Sequence, residues 1–233
     1  MPTRANALVI MAKAPTPGRV KTRLMPFLSG SQAAALCRAL LVDQLEHLCA
    51  VRNADLYLAF SPRDVRRSMR RMAPARFQLF PQHGRDLGER MHDIFTTLFA
   101  KGHKRIVLIG ADLLPVPLSR FAQAFAYLDH PGPSAVLGPS TDGGYYLIAL
   151  NRSLPEIFIR MRWSHDQVFA QTLLRLHALH VPTLELPLWF DIDRPADLIF
   201  VRSALDSRLR RTAPKTSQIV CSIKIARKTN SMR

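Results

Sequence analysis

The chain has 233 residues, 48% of them apolar, which is enough for one sizeable hydrophobic core. No segment approaches the roughly 18 uninterrupted apolar residues of a membrane helix, and the N-terminus lacks the basic-then-apolar pattern of a secretory signal. We therefore expect a single α/β domain in the cytoplasm. Cys37, Cys49 and Cys221 have no CxxC spacing, which favours reduced packing residues over a disulfide frame or a zinc site.

The formal net charge of +16 is typical of proteins that bind nucleic acid or anionic membranes. Much of the excess lies in residues 63–76 and 202–233. The first block predicts the solvent face of a helix. The second predicts a basic, disordered tail at residues 210–233, after a domain spanning residues 1–209. Neither block carries the interleaved aromatic residues of a base-stacking surface, so only weak nonspecific adhesion to polyanions is expected.

Residues 8–24, LVIMAKAPTPGRVKTRL, combine an apolar run, a Pro/Gly break and a cluster of cations. The pattern predicts a buried strand that ends in a loop at the carboxyl edge of a sheet, where open α/β sheets bind ligands. The cations of this loop are Lys13, Arg19, Lys21 and Arg23. With Gly18 beside them they suit a polyanion such as a nucleotide diphosphate, although a solvated basic turn remains the alternative. The loop matches neither the Walker pattern nor GxGxxG.

The rest of the chain alternates apolar runs of strand length with amphipathic segments of helix length. Predicted helices cover residues 31–50, 61–76, 82–100, 119–129, 165–177 and a segment after 194. Predicted strands cover residues 54–60, 77–80, 105–110, 135–138, 145–150 and 181–186. This alternation predicts a mostly parallel sheet with right-handed crossovers. Ser164 is the expected N-cap of the helix at 165–177.

Asp86 and Glu89 stand three residues apart, as a capping box requires, and capping is the favoured interpretation. The same helix start, with Gly84, Gly88 and Arg90 nearby, is also suited to an anion or base pocket. In that alternative, Asp86 and Arg90 bind the nucleotide.

Asp112 follows the most strand-like run of the chain, residues 105–110. A carboxylate released at the end of a buried central strand can hold a hydrated divalent cation or a ribose hydroxyl. Capping of the helix after Pro117 is the alternative, but Asp112 precedes that helix by several residues, which favours ligand binding.

The segment Asp142-Gly143-Gly144 predicts a hairpin-like turn between two strands. It would equally suit a loop that lets a bulky ligand approach the backbone while Tyr145 stacks on it.

Later in the chain, Asp191 and Asp193 form an extended Asp-x-Asp pair whose carboxylates project to one side and suit one divalent cation. Asp193 could instead cap the last helix.

Six motifs in this order resemble the bacterial DUF2064 group of the GT-A, or nucleotide-diphospho-sugar transferase, superfamily. They are APxPGxxKTRL, QxGxDLGERM, IGxD, LGPxxDGGYYLI, WS and DID, and they cover about residues 7–200. The resemblance implies a GT-A-like, Rossmann-type three-layer α/β sandwich with a mixed, mostly parallel central sheet.

The resemblance also implies roles for individual residues. The nucleotide-phosphate loop is carried by Lys13, Gly18, Lys21 and Arg23, with Asp112 at the nucleotide and metal position. The metal ligands for Mg²⁺ or Mn²⁺ are Asp112, Asp191 and Asp193. The acceptor or sugar pocket holds Asp142, Gly143, Gly144, Tyr145, Trp163 and Ser164. Asp142, in its glycine-rich loop, is the first candidate for a catalytic base.

Two departures from the family pattern stand beside these motifs. Leu113-Leu114-Pro115 replaces a usual Pro two positions after the strand-end Asp, which bears on the geometry beside Asp112 and on metal affinity. His165 stands where Thr is common, which bears on acceptor specificity.

The function that the resemblance implies is transfer of a sugar from a nucleotide sugar to a small acceptor. The alternatives are a nucleotidyltransferase that joins a nucleoside triphosphate to a phosphorylated small molecule, and a basic module that binds nucleic acid or a membrane surface.

Overall fold

A computed structural model describes residues 3–25, 27–189 and 191–223. Seven strands of these residues form one sheet in the order β3-β2-β1-β4-β6-β5-β7. They are β1 (Asn6–Lys13), β2 (Ala54–Ser61), β3 (Phe77–Pro81), β4 (Arg105–Gly110), β5 (Ala135–Pro139), β6 (Tyr145–Leu150) and β7 (Thr183–Glu185). Neighbours are parallel from β3 to β4, β6 runs antiparallel to β4 and β5, and β7 is parallel to β5. The predicted mixed, mostly parallel sheet is confirmed.

Helices cover both faces of the sheet. They are α1 (Gly30–Leu48), α2 (Arg66–Met72), α3 (Leu87–Ala100), α4 (Leu118–Tyr127), α5 (Val168–Ala178), α6 (Pro195–Ser203), α7 (Ser207–Thr212) and α8 (Pro214–Ser222). Alternate residues of β1 pack into the hydrophobic cores on opposite faces of the sheet, because successive side chains of a strand point to opposite faces. Leu8 and Ile10 pack with α1, α2 and α4, whereas Ala7 and Val9 pack with α3 and α5. The predicted three-layer sandwich is confirmed.

Side-chain caps fix where two helices begin. Ser29 caps α1 by accepting the N–H of Gln32, and Asp86 caps α3 by accepting the N–H of Glu89 at 2.8 Å. Because Asp86 closes the N-terminus, α3 begins at Leu87 rather than at residue 82. The predicted capping role of Asp86 is therefore confirmed, whereas the capping box is not completed, because the Glu89 carboxylate accepts the N–H of Arg85 instead.

The N-cap predicted for α5 is wrong. The helix begins at Val168 with Gln167 at its N-cap position, while Ser164 lies in the left-handed region with φ 66°. The segment before α5 is thus a shaped loop rather than a helix start, and it faces the candidate site described below.

The predicted disordered tail is wrong for residues 210–223, and residues 224–233 lie outside the described part of the chain. Helices α7 and α8 occupy this stretch, and α8 packs against α1. Asp43 of α1 is 1% exposed, and its carboxylate accepts the backbone N–H groups of Lys215 and Thr216 at 3.2 and 2.7 Å. This carboxylate caps α8 from a distant part of the chain, a contact that the basic composition of the tail does not indicate. No helix of the described residues has the length and hydrophobicity needed for a membrane crossing.

Candidate functional site

The candidate site lies at the carboxyl edge of the sheet, where the loops after β1 and β4 meet the loop between β5 and β6 and the segment before α6. The loop after β1 folds back over this edge: the Ala14 N–H donates to the Ser61 carbonyl at 2.8 Å, and the Arg19 N–H to the Thr16 carbonyl at 3.0 Å. Gly18 takes the positive φ of 74° that this turn requires.

Lys21 is drawn under the loop instead of pointing to solvent. Its backbone is left-handed (φ 50°, ψ 38°), and its side chain is only 1% exposed. The Nζ atom lies 3.2 Å from Asp112 Oδ1 and 4.0 Å from Asp193 Oδ1, and it makes no hydrogen bond with any described residue. An ammonium buried with unfilled hydrogen bonds is costly, so this arrangement is suited to an incoming anion.

Arg23 takes a different partner. Its Nη1 donates to Asp193 Oδ2 at 2.8 Å, and the guanidinium stays about half exposed. Asp193 is therefore held by an arginine rather than by a helix end: the carboxylate that accepts the Asp193 and Arg194 N–H groups before α6 is Asp197. The alternative in which Asp193 caps the last helix is wrong.

Two adjoining cavities open at this edge. The first, the lysine cavity, has a volume of about 420 Å³, is lined by Lys13, Arg19 and Lys21 of the loop after β1 and has an apolar wall that includes Met11 and Met91. The second, the aspartate cavity, has a volume of about 560 Å³. Its polar lining includes Asp112, Asp142, Trp163, Ser164, His165, Asp166, Asp191 and Arg194. Asp112 and Tyr145 line both cavities, and both volumes fall in the range typical of small-ligand sites.

Asp142 lies at the tip of the loop between β5 and β6. Its Oδ1 accepts the N–H of Gly144 at 3.0 Å, which closes the turn as the sequence predicts. Gly143 has φ 85°, and its carbonyl accepts the N–H of Phe169 at 2.9 Å. A Cβ atom at Gly143 would lie 2.1 Å from the Asp166 carbonyl oxygen, so this glycine permits the loop to rest on the start of α5.

Asp191 faces a surplus of negative charge. Burial, followed by the charge of Asp142, raises the pKa of Asp191 to about 6, while the ammonium of Lys21 acts in the opposite direction. A half-buried carboxylate with like-charged neighbours is an environment that an added cation would relieve.

The segment that carries Asp191 is held against the loop after β4. Leu113 forms an isolated antiparallel bridge with Asp191, and the Ile192 N–H donates to the Asp112 carbonyl at 3.1 Å. The departure at Leu113-Leu114 places two buried side chains, 3% and 2% exposed, directly after Asp112 in the chain, and the Asp112 carboxylate remains 53% exposed.

Arg120 of α4 supports the same segment and has no signal in the sequence motifs. Its Nη1 donates to the hydroxyl of Tyr146 at 2.9 Å and to the Pro187 carbonyl at 3.0 Å. Its guanidinium also lies 4.5 Å from the ring centroid of Trp189, whose Nε1 donates to the Leu114 carbonyl at 3.1 Å. These contacts connect the strand that follows Asp142 with the loop that precedes Asp191.

Trp163 forms a wall of the aspartate cavity by lying on the first turn of α3. A Cβ atom at Gly88 would come within 2.5 Å of the indole, so only glycine allows this approach. Ser164, exposed and left-handed, follows it in the lining, and Tyr145 completes the boundary between the two cavities.

The structure does not bring all the predicted site residues together. Asp86 caps α3, and Arg90 donates through Nε to the Gly84 carbonyl at 3.1 Å; neither lines the lysine or the aspartate cavity. The alternative interpretation of these two residues as nucleotide ligands has no support in this geometry. Asp166 and Arg194 also line the aspartate cavity, beside the WS and DID motifs, although no motif of the sequence indicates a role for either residue.

The predicted three-carboxylate metal centre is not assembled. Within residues 3–25, 27–189 and 191–223, no group of three or more His, Cys, Asp or Glu side chains is placed to hold a metal ion. Asp193 is engaged by Arg23, and Asp112 faces Lys21. Asp112 and Asp191 still supply the oxygen donors that Mg²⁺ and Mn²⁺ prefer, and Mg²⁺ is commonly bound by one or two carboxylates with substrate phosphates. The donor chemistry therefore fits a cation that arrives with a phosphorylated ligand.

Comparison with known proteins adds a family and a fold. The family model described as "Uncharacterized protein conserved in bacteria (DUF2064)" matches residues 44–165. A solved structure from Desulfovibrio desulfuricans G20, provisionally named a nucleotide-diphospho-sugar transferase, is 30% identical; the match covers 94% of this chain and 95% of that one, with a TM-score of 0.86. No curated protein sequence matches the chain.

Two further solved structures share the fold at lower identity. A cytidylyltransferase from Leptospira borgpetersenii serovar Hardjo-bovis is 16% identical, with 96% and 99% of the two chains covered and a TM-score of 0.58. A manganese complex of Rv0371c from Mycobacterium tuberculosis H37Rv is 17% identical, with 92% and 100% covered and a TM-score of 0.51. At these identities the likeness concerns the fold alone.

Proposed function

This chain belongs to the DUF2064 family, and we propose that it is a transferase that binds a nucleotide sugar and moves the sugar to a small acceptor. The observation that carries the proposal is the ammonium of Lys21, which is buried, makes no hydrogen bond with a described residue and lies 3.2 Å from Asp112 where the two cavities meet. The name of the relative from Desulfovibrio desulfuricans points to the same class of donor.

The diphosphate of the donor would occupy the lysine cavity. Lys13, Arg19 and Lys21 line it, and a diphosphate offers the acceptor oxygens that the Lys21 ammonium lacks. The apolar wall with Met11 and Met91 suits the flat faces of a base. The sugar and the acceptor would then lie across Asp112 in the aspartate cavity.

The reaction breaks the bond between the anomeric carbon of the sugar and the diphosphate, and the electron pair leaves with the diphosphate. Lys21 and the other loop cations stabilise this growing charge, an interaction that strengthens as the bond breaks and so lowers the barrier. The anomeric carbon forms a new bond to an acceptor hydroxyl, whose proton goes to a base. Asp142, at the tip of a glycine-rich loop in the aspartate cavity, is the proposed base.

Asp112 and Asp191 would hold a divalent cation together with the donor phosphates, whereas Asp193 is left to Arg23. When bound, the cation supplies further positive charge for the departing diphosphate. The like-charge environment of Asp191 supports this assignment.

A thermal-shift panel of nucleoside diphosphates, triphosphates and nucleotide sugars, each with and without Mn²⁺, tests the proposal. A ligand at one hundred times its Kd stabilises the folded state by about 2.7 kcal/mol. In a domain of this size that free energy corresponds to a rise in Tm of roughly 5–10 °C. A shift with nucleotide sugars of one base is the expected result, and a folded sample that responds to no nucleotide would refute it.

Product analysis separates the proposal from the nucleotidyltransferase alternative. Sugar transfer releases a nucleoside diphosphate, whereas nucleotidyl transfer from a triphosphate to a phosphorylated acceptor releases pyrophosphate. Pyrophosphate formed from a nucleoside triphosphate would overturn the sugar-transferase assignment while keeping the site.

A further inference from the structure

Asp112 has two competing partners in the proposed reaction. It is the carboxylate nearest to the buried ammonium of Lys21, at 3.2 Å, and it is also a proposed ligand of the divalent cation. Its side chain is 53% exposed to the cavities, whereas the Lys21 side chain is 1% exposed. The ammonium therefore approaches Asp112 from inside the protein, and a cation from solvent would approach it from the other side.

Asp112, rather than Asp193, is the main ion-pair partner of the Lys21 ammonium. The distance from Nζ to Asp193 is 4.0 Å, and Asp193 already accepts a hydrogen bond from Arg23 at 2.8 Å. The left-handed backbone of Lys21 and the burial of its side chain hold the ammonium close to Asp112. A divalent cation that binds Asp112 alone would thus meet a fixed positive charge at short range, which weakens its binding.

A diphosphate removes this conflict because its oxygens can accept hydrogen bonds from the ammonium and coordinate the cation at the same time. We infer that Lys21 is an internal counter-ion of Asp112 that makes the divalent cation and the diphosphate bind together rather than separately. This inference rests on the proposed function and adds that the two ligands of that site bind cooperatively. By linkage, the diphosphate raises the affinity for the cation by the same factor as the cation raises the affinity for the diphosphate.

Binding of Mn²⁺ alone tests the inference without any transfer reaction. The free ion is measured by electron paramagnetic resonance during titration of the intact 233-residue chain in the absence of nucleotide. Lys21→Met should bind Mn²⁺ about tenfold more tightly than the unaltered protein, within the range of coupling typical of linked sites. Lys13→Met is the matched control: it removes the same charge from the same cavity, but Lys13 has no ion pair with Asp112 within 4.0 Å, so its effect should stay below about twofold.

A second substitution tests whether the additional Mn²⁺ affinity arises at Asp112. In the double variant Lys21→Met/Asp112→Asn the increase in Mn²⁺ affinity should disappear. Circular dichroism and thermal melts check that each variant is folded, and Lys21→Gln replaces Lys21→Met if the latter is not. Equal Mn²⁺ affinity for Lys21→Met and the unaltered protein, or an equal gain in Lys13→Met, would overturn the inference.

Calorimetric titration with inorganic pyrophosphate in the presence of EDTA tests whether Lys21 binds a diphosphate when no divalent cation is available. The unaltered protein should bind it, and Lys21→Met should lose at least about tenfold in affinity, because the ammonium is the buried donor. If the unaltered protein binds neither pyrophosphate nor any nucleotide with Mn²⁺, the proposed function fails. The titrations with Mn²⁺ alone still show whether Lys21 opposes the cation at Asp112.

Discussion

Replacement of Asp191 by Asn should stabilise the protein at neutral pH. In the folded state, burial and Asp142 raise the pKa of Asp191 to about 6 from its ordinary value of 3.8, so the folded protein holds this proton more tightly than the unfolded chain. Stability is therefore lost as the pH rises from about 4 to about 6, and the loss is complete above pH 6. An Asn side chain carries no charge and avoids this cost.

The size of the effect follows from the two pKa values. At 1.36 kcal/mol for each pKa unit, the difference between 3.8 and about 6 corresponds to about 3 kcal/mol. Asp191 is only half-buried, and solvent screening reduces this to about 1 kcal/mol. Urea unfolding in EDTA should thus give Asp191→Asn about 1 kcal/mol more stability at pH 7.5, and the gain should fall to about a third of that at pH 4.5.

Asp64→Asn is the control, because Asp64 is exposed and remote from the site; its effect should stay within about 0.5 kcal/mol at both pH values. A gain for Asp191→Asn that is the same at pH 4.5 and 7.5, or a loss at pH 7.5, would show that like-charge repulsion at Asp191 has been misjudged.

Three further outcomes are expected. Gly88→Ala should lower the free energy of unfolding in urea by about 1–3 kcal/mol and alter the tryptophan fluorescence, because its Cβ would lie 2.5 Å from the ring of Trp163. Unchanged stability and fluorescence would contradict this packing. Gly110→Val should fold normally but lose the nucleotide-induced thermal shift, since the added Cβ would have no atom within 4 Å apart from those of the adjoining residues, and Gly110 lines both cavities. A retained shift would place the ligand elsewhere. Iodoacetamide at pH 8 should modify exposed Cys221 and spare Cys37. Cys37 is 5% exposed, and its pKa is raised to about 12, first by burial and then by the charge of Asp112. Peptide mass spectrometry measures labelling at both cysteines, and rapid labelling of Cys37 would refute its burial.

Local sequence patterns predicted most of the fold. Apolar runs located the central strands, and residues 105–110 and 145–150 match β4 and β6. The capping role of Asp86 was also accessible, because an N-cap and its partner lie within one turn of helix. The same local logic failed before α5, where Ser164 has the composition of a cap but a left-handed backbone that faces the aspartate cavity.

The strand and helix pattern and the set of charged residues at the carboxyl edge can be predicted from the sequence, because they depend on side-chain periodicity and on contacts within a few residues. How those charges pair depends on the tertiary structure. Arg23 and Asp193 are 170 residues apart, and Asp43 caps α8 across 172 residues. Such pairs form because folding brings loops and helix ends from distant parts of the chain together, and the loss of solvent around the buried Lys21 strengthens its interaction with Asp112.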